Sequence, residues 1–163
     1  MTTRPSPEMS ITMPSDRELV VTRVFNAPRK LVFEAFTRPE HLVRWWGPRG
    51  YTMPVCEIDL RPGGAYRFVS RGPDGAEYPF KGVYREIAPP ERLVYTETWD
   101  MEPWSSTETL ITAVLEERDG KTTMTSTILY PSTEARDAHI QSGMEWGMRE
   151  TYERLDELVA TMS

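Results

Sequence analysis

One cysteine, Cys56, and two histidines, His41 and His139, are all the soft ligand chemistry in 163 residues. No intrachain disulfide can form, and no Cys/His zinc spacing exists. The expectation is a protein without metal and without cofactor. Basic runs are missing too: 19 Lys and Arg stand against 25 Asp and Glu, for a net charge of -6. Binding nucleic-acid phosphates takes clustered positive charge, so nucleic acid is excluded as a partner. No apolar run is long enough to span a bilayer. The opening "MTTRPSPEMSITMPSDRE" lacks the apolar centre of a signal peptide. A cytoplasmic location with no membrane partner is the default expectation. No Ser/His/Asp order and no nucleophile elbow occurs. "RPGG" (61–64) and "GPDG" (72–75) precede neither a Lys-Ser/Thr pair nor a helix, so they read as turns rather than phosphate loops. No catalytic residue is assigned.

What remains is a pattern of periods. Residues 1–17 read as a flexible arm with a short extended piece at Ile11–Met13, and 18–163 as a single domain. A domain of this size can bury roughly two-thirds of its unfolded surface. "ELVVTRVF" (18–25) alternates and is β-rich, which predicts a strand. Asn26 can cap a helix that has Pro28 near its first turn and Leu31, Val32, Ala35 and Phe36 at helical spacing. Pro39 ends it. "PEHLVRWW" predicts a second short helix, closed by Gly47-Pro48. Period two then takes over, predicting strands near 54–60, 64–71, 78–87, 91–99, 107–117 and 121–130. The breaks are "RPGG", "GPDG", "APPE" and "RDG". From Ser132 the period is helical again. Ile140, Met144, Met148, Leu155, Leu158, Val159 and Met162 fall on one face of a helix predicted over 134–161. A long antiparallel sheet has one face to cover, and only this helix is long enough to cover it. The fold class is α+β, a curved antiparallel sheet wrapped around a long C-terminal helix, with two short helices after the first strand.

The pieces "VTRVFNAPRKLVFEAFTRPEHLVRWWGP", "LRPGGAYRFVSRGPDG", "GVYREIAPPERLVYTETW" and "SGMEWGMRETYERLDELV" span about 18–160. In this order they resemble the activator-of-heat-shock-ATPase homology family, within the START-like, helix-grip superfamily that includes the birch pollen allergen. The resemblance implies a helix-grip fold and, commonly, a hydrophobic cavity. It leaves the function open, because related domains bind lipids, cyclise polyketides or activate a chaperone ATPase. Many relatives carry Gly-Trp in the last helix where this chain has Gly147-Met148.

The candidate lining follows from faces. Trp45 and Trp46 are neighbours on a short helix, so they point about 100° apart. One reads as core and the other as a cap on the cavity rim. Phe36 lies on the inner face of the preceding helix. Tyr66 and Phe68 share one strand face, and Tyr95, Glu97 and Trp99 share another. Glu97 would then enter a cavity among aromatics, which is costly for a carboxylate unless it is paired. Two readings stand side by side. A bulge or a hydrogen bond to a tyrosine makes Glu97 structural; otherwise it is a polar anchor or a general acid with a raised pKa. Met144 and Met148 face inward from the last helix, and Met124 faces them from a strand. Flexible methionine suits a pocket, and equally fills gaps in a closed core. His41 and His139 read as solvated, and Cys56 as a buried inert thiol.

These residues favour binding of a hydrophobic or amphipathic small molecule between sheet and helix. An enzyme of the polyketide cyclase or hydrolase type, with Glu97 or a tyrosine as acid/base, is the alternative in the same cavity. A protein-binding regulator of a chaperone ATPase is the third; nothing in the chain resembles the chaperone-binding half of the eukaryotic activators. Trp146 lies about 200° around the helix from Met144, so it points to solvent. There it is a candidate anchor for a homodimer or partner contact.

Overall fold

The computed structural model describes residues 9–162. The first half of the arm therefore lies outside the described residues. Its second half is not loose. Met9–Thr12 forms an edge strand, β1, paired with β2 (Glu18–Phe25), and the Met9 side chain is buried.

Two short helices follow, α1 (Arg29–Thr37) and α2 (Pro39–Trp45). Asn26 does not cap α1 with its side chain. Its backbone N–H donates to Asp156 Oδ1 at 3.0 Å, while Glu117 Oε1 accepts the Arg29 N–H at 2.9 Å. A carboxylate from across the fold thus satisfies the helix start. Proline at the head of α2 costs nothing, since a first-turn N–H has no partner in the helix.

The meander comprises β3 (Thr52–Ile58), β4 (Ala65–Arg71), β5 (Glu77–Ala88), β6 (Arg92–Trp99), β7 (Glu108–Arg118) and β8 (Lys121–Leu129). All eight strands join one antiparallel sheet in the order β1-β2-β8-β7-β6-β5-β4-β3. β2 pairs with β8, so the first long strand lies beside the last, near one edge, and the meander runs from there to the far edge.

The C-terminal helix is two helices, which corrects the single one expected over 134–161. Ser132 caps α3 (Thr133–Gln141) by accepting the Ala135 N–H at 3.1 Å. Gly143, in the left-handed region at φ +86°, separates it from α4 (Met144–Val159). The turn resets the helical phase. Ile140, expected on the inner face, is 38% exposed as a result.

Helix α4 lies across the concave face of the sheet. Its second half packs tightly: Leu155, Leu158 and Val159 join Phe25, Val32, Leu115 and Met124 in a closed core. Its first half does not close on the sheet in the same way, and that difference positions the site.

Candidate functional site

Between the first half of α4 and strands β6, β7 and β8 lies a cavity of about 360 Å³. The strands supply Tyr95, Glu97 and Trp99 from β6, Thr109 and Ile111 from β7, and Ser126 and Ile128 from β8. These are alternate positions on one face of each strand. Across from them, α4 presents Met144, Gly147, Met148, Thr151 and Tyr152, one stripe at helical spacing. Helix α3 adds Ala135, Ala138 and His139. Trp46, Gly47 and Pro48, just past α2, close one end.

The two adjacent tryptophans divide the work. Trp45 is 1% exposed and donates its indole N–H to Ala35 O at 2.9 Å, which fixes α2 on α1. Trp46 is half-buried. It sets its ring against Phe80 and Phe68, with centroids 4.9 and 5.5 Å away, and forms cavity wall. Phe36 packs on Trp45 at 4.8 Å and also reaches the lining. Tyr66 and Phe68 line a separate void of about 30 Å³ behind Trp46 rather than the main cavity. Met124 lines neither. It sits on the cavity face of β8, but beyond Ser126 towards the end that α4 seals with Leu155. Register along the helix, not face, decides its fate.

Glu97 enters the cavity. Four phenols surround it closely enough to feel its charge: Tyr66, Tyr95, Tyr130 and Tyr152. Glu97 is half-buried by area yet enclosed by protein on the scale that sets its solvation. Among the described residues, no side chain or backbone N–H donates a hydrogen bond to its carboxylate. Burial alone pushes its pKa from 4.5 to about 7. Near neutral pH it is divided between acid and carboxylate.

Tyr66 reaches this region by an unusual route. Its ring lies over Gly82, its cross-strand partner on β5, and its hydroxyl donates to Thr96 O on β6 at 2.6 Å. Any Cβ at position 82 would come within 2.4 Å of that ring and 2.0 Å of Thr96 O. The glycine is required by this close approach. Val83 N–H turns instead to Thr96 Oγ1 at 2.9 Å.

Several lining residues lie outside the candidate set read from the sequence. Trp104, in the β6–β7 loop, stacks parallel to Trp99 with centroids 5.8 Å apart. The signal available for it was a tryptophan between Pro103 and Ser105 in a segment with no strand or helix periodicity. Tyr130 continues the alternation of Ser126 and Ile128, and Tyr152 is four residues past Met148, so both were legible. His139 is a correction: it is not solvated. It lines the cavity, meets the Tyr130 hydroxyl through Nδ1, and burial pushes its pKa down, favouring neutral imidazole. Cys56 is half-buried, and burial pushes its thiol up to about 11, so it is not a nucleophile near neutral pH. The Trp99 indole N–H is buried with no acceptor.

The far side of α4 holds the loop that closes the cavity. Arg154 donates to Arg44 O at 2.9 Å, Gly47 O at 2.8 Å and Pro48 O at 3.0 Å. Arg49 pairs with Glu157 and Glu153, and its backbone N–H donates to Glu150 Oε1 at 3.2 Å. Trp146 projects from α4 at 59% exposure.

A curved antiparallel sheet gripping a C-terminal helix around an apolar cavity defines a START-like, helix-grip protein. More narrowly, the chain belongs to the family described as Activator of Hsp90 ATPase homolog 1-like protein, whose model matches residues 26–160. A crystal structure of a protein from Rhodobacter sphaeroides is similar at 33% identity, covering 95% of this chain and all of that one, with a TM-score of 0.86. A solution structure from Arthrobacter aurescens is 26% identical over 93% of this chain and 91% of its own, with a TM-score of 0.82. The AHSA1 protein of Silicibacter pomeroyi, 20% identical over 90% of this chain and 99% of its own, shares the fold with a TM-score of 0.73. No curated protein matches. Among the described residues, no helix is long and apolar enough to cross a membrane.

Proposed function

We propose that the protein binds a hydrophobic or amphipathic small molecule in the cavity between the sheet and α4. The observation that carries this reading is the cavity itself. Its volume of about 360 Å³ lies within the range of small-molecule sites, and its walls are aromatic and aliphatic around a few polar groups. A closed core would have used this volume for side chains, as the second half of α4 does. The neutral naphthalene dye prodan tests the reading. Titration should give saturable one-to-one binding, with quenching of Trp46, Trp99 and Trp104. Quenching that rises linearly without saturation would contradict it.

An enzyme of the cyclase or hydrolase type is favoured by one grouping: Glu97 and the Tyr130–His139 pair all line the same cavity. It would need Glu97 as acid/base, and activity that vanishes in Glu97→Gln would support it. Regulation of a chaperone ATPase rests on the family's description; stimulation of a purified Hsp90-type ATPase is its assay.

We also propose that Trp146 anchors contact with a second copy of the chain or another protein, because a tryptophan this exposed is costly to leave in water. Trp146→Ala should lower the dimer fraction in analytical ultracentrifugation and leave the melting temperature unchanged. A wild-type protein that stays monomeric at high concentration contradicts the homodimer.

A further inference from the structure

The cavity's charge pattern is more specific than its shape. Glu97 is the only carboxylate in the lining, and no lysine or arginine joins it among the described residues. The walls near it are aromatic. Trp99 and Trp104 stack parallel, Phe80 lies within 6.5 Å of Trp99 at an interplanar angle of 19°, and Trp46 meets Phe80 edge-on. Aromatic faces carry negative potential and attract cations, and a carboxylate does the same more strongly.

We infer that the ligand is an amine: a flat apolar body held between Trp46, Phe80, Trp99 and Trp104, with a protonated nitrogen directed at Glu97. This deepens the proposed function and rests on it. An anionic ligand would meet the Glu97 carboxylate with no lysine or arginine in the lining to receive it. A neutral hydrocarbon would fit the walls but leave the carboxylate without a partner, and a neutral hydroxyl would donate to it without offsetting its charge. A protonated amine offsets the desolvation of Glu97, supplies the donor that no protein group supplies, and gains from the ring faces at once.

The pairing makes binding depend on pH. Besides Tyr95 on its own strand, Glu97 is faced by Tyr66 from β4, Tyr130 beyond β8, His139 from α3 and Tyr152 from α4. Tyrosines are neutral throughout the range concerned, and burial keeps His139 neutral above its ordinary pKa and below it for some distance. Glu97 is then the group that titrates near pH 7. The ammonium binds the ionised carboxylate, so amine affinity rises with pH through that value, while a neutral analogue gains nothing.

Three ligands of one shape separate the possibilities: naphthylethylamine, naphthylethanol and naphthylpropionate, measured by isothermal titration calorimetry at about pH 8 and about pH 6. The amine should bind at least tenfold more tightly than the alcohol at the higher pH, by less at the lower pH, and the propionate should bind weakest. Glu97→Gln should bring amine and alcohol to within about threefold of each other without weakening the alcohol. Equal binding of alcohol and amine by the wild type overturns the inference while leaving cavity binding intact, and so does tighter binding of the propionate. An amine preference that survives Glu97→Gln overturns the role of Glu97. Failure of all three ligands overturns the proposed function and this inference with it.

Discussion

Glu97 has an acid's cost and no internal partner to offset it. Its proton is lost near 4.5 when the chain is unfolded and near 7 when it is folded. Between those values the folded state binds more protons, so stability falls as pH rises, and the loss is complete above about 7. The loss is on the order of 3 kcal/mol. Glu97→Gln, which keeps the shape and discards the charge, should therefore stabilise the protein by about 2–3 kcal/mol near pH 8 and by little near pH 5. Urea denaturation at the two values measures this; an equal effect at both would mean that Glu97 titrates normally. The residue was legible because strand alternation is local: once Tyr95 and Trp99 face inward, so does Glu97. His139 was not. Its burial depends on how α3 folds back over the sheet, and nothing within a few residues of it records that.

At the scale of elements, the strands were readable because each ends in turn chemistry. Gly63, Gly75 and Gly120 all adopt positive φ in the hairpin turns, where glycine is at ease. The break between α3 and α4 was hidden because Ile140, Met144 and Met148 keep a spacing of four across it. A periodic pattern does not register a turn that removes no apolar residue. Nor does it show which stretch of a helix face is core and which is cavity, the distinction on which Met124 and Met148 part ways. The loop after α2 owes its place to Arg154, whose guanidinium holds four carbonyls, Arg44, Gly47, Pro48 and Tyr51, the first of them at the C-terminal end of α2. Arg154→Met keeps the apolar stem and removes those donors. It should cost about 2 kcal/mol, the scale for hydrogen bonds from a charged group, and should weaken dye binding as Trp46 loses its support. Unchanged urea midpoint and dye affinity would show that the loop is held by other contacts. Arg49 is a lesser clamp, since its ion pairs with Glu153 and Glu157 are exposed.

Along α4 the concave face of the sheet has two unequal halves. One half is filled by Leu155, Leu158, Val159 and the residues they meet; the other is walled but not filled. Fold class was open to sequence reasoning because period and order fix which element covers which. Where the covering stops being tight is a matter of side-chain volume at particular positions, above all Gly147. A Cβ there would meet only Pro48 Cγ, at 3.8 Å, so a side chain can be added without moving backbone. Both residues line the cavity. The most direct test of a ligand site between sheet and helix is therefore prodan binding to Gly147→Trp beside the wild type. The indole should fill the space next to Pro48, abolishing saturable binding while the melting temperature holds or rises. Undiminished one-to-one binding by a folded Gly147→Trp protein would contradict the account.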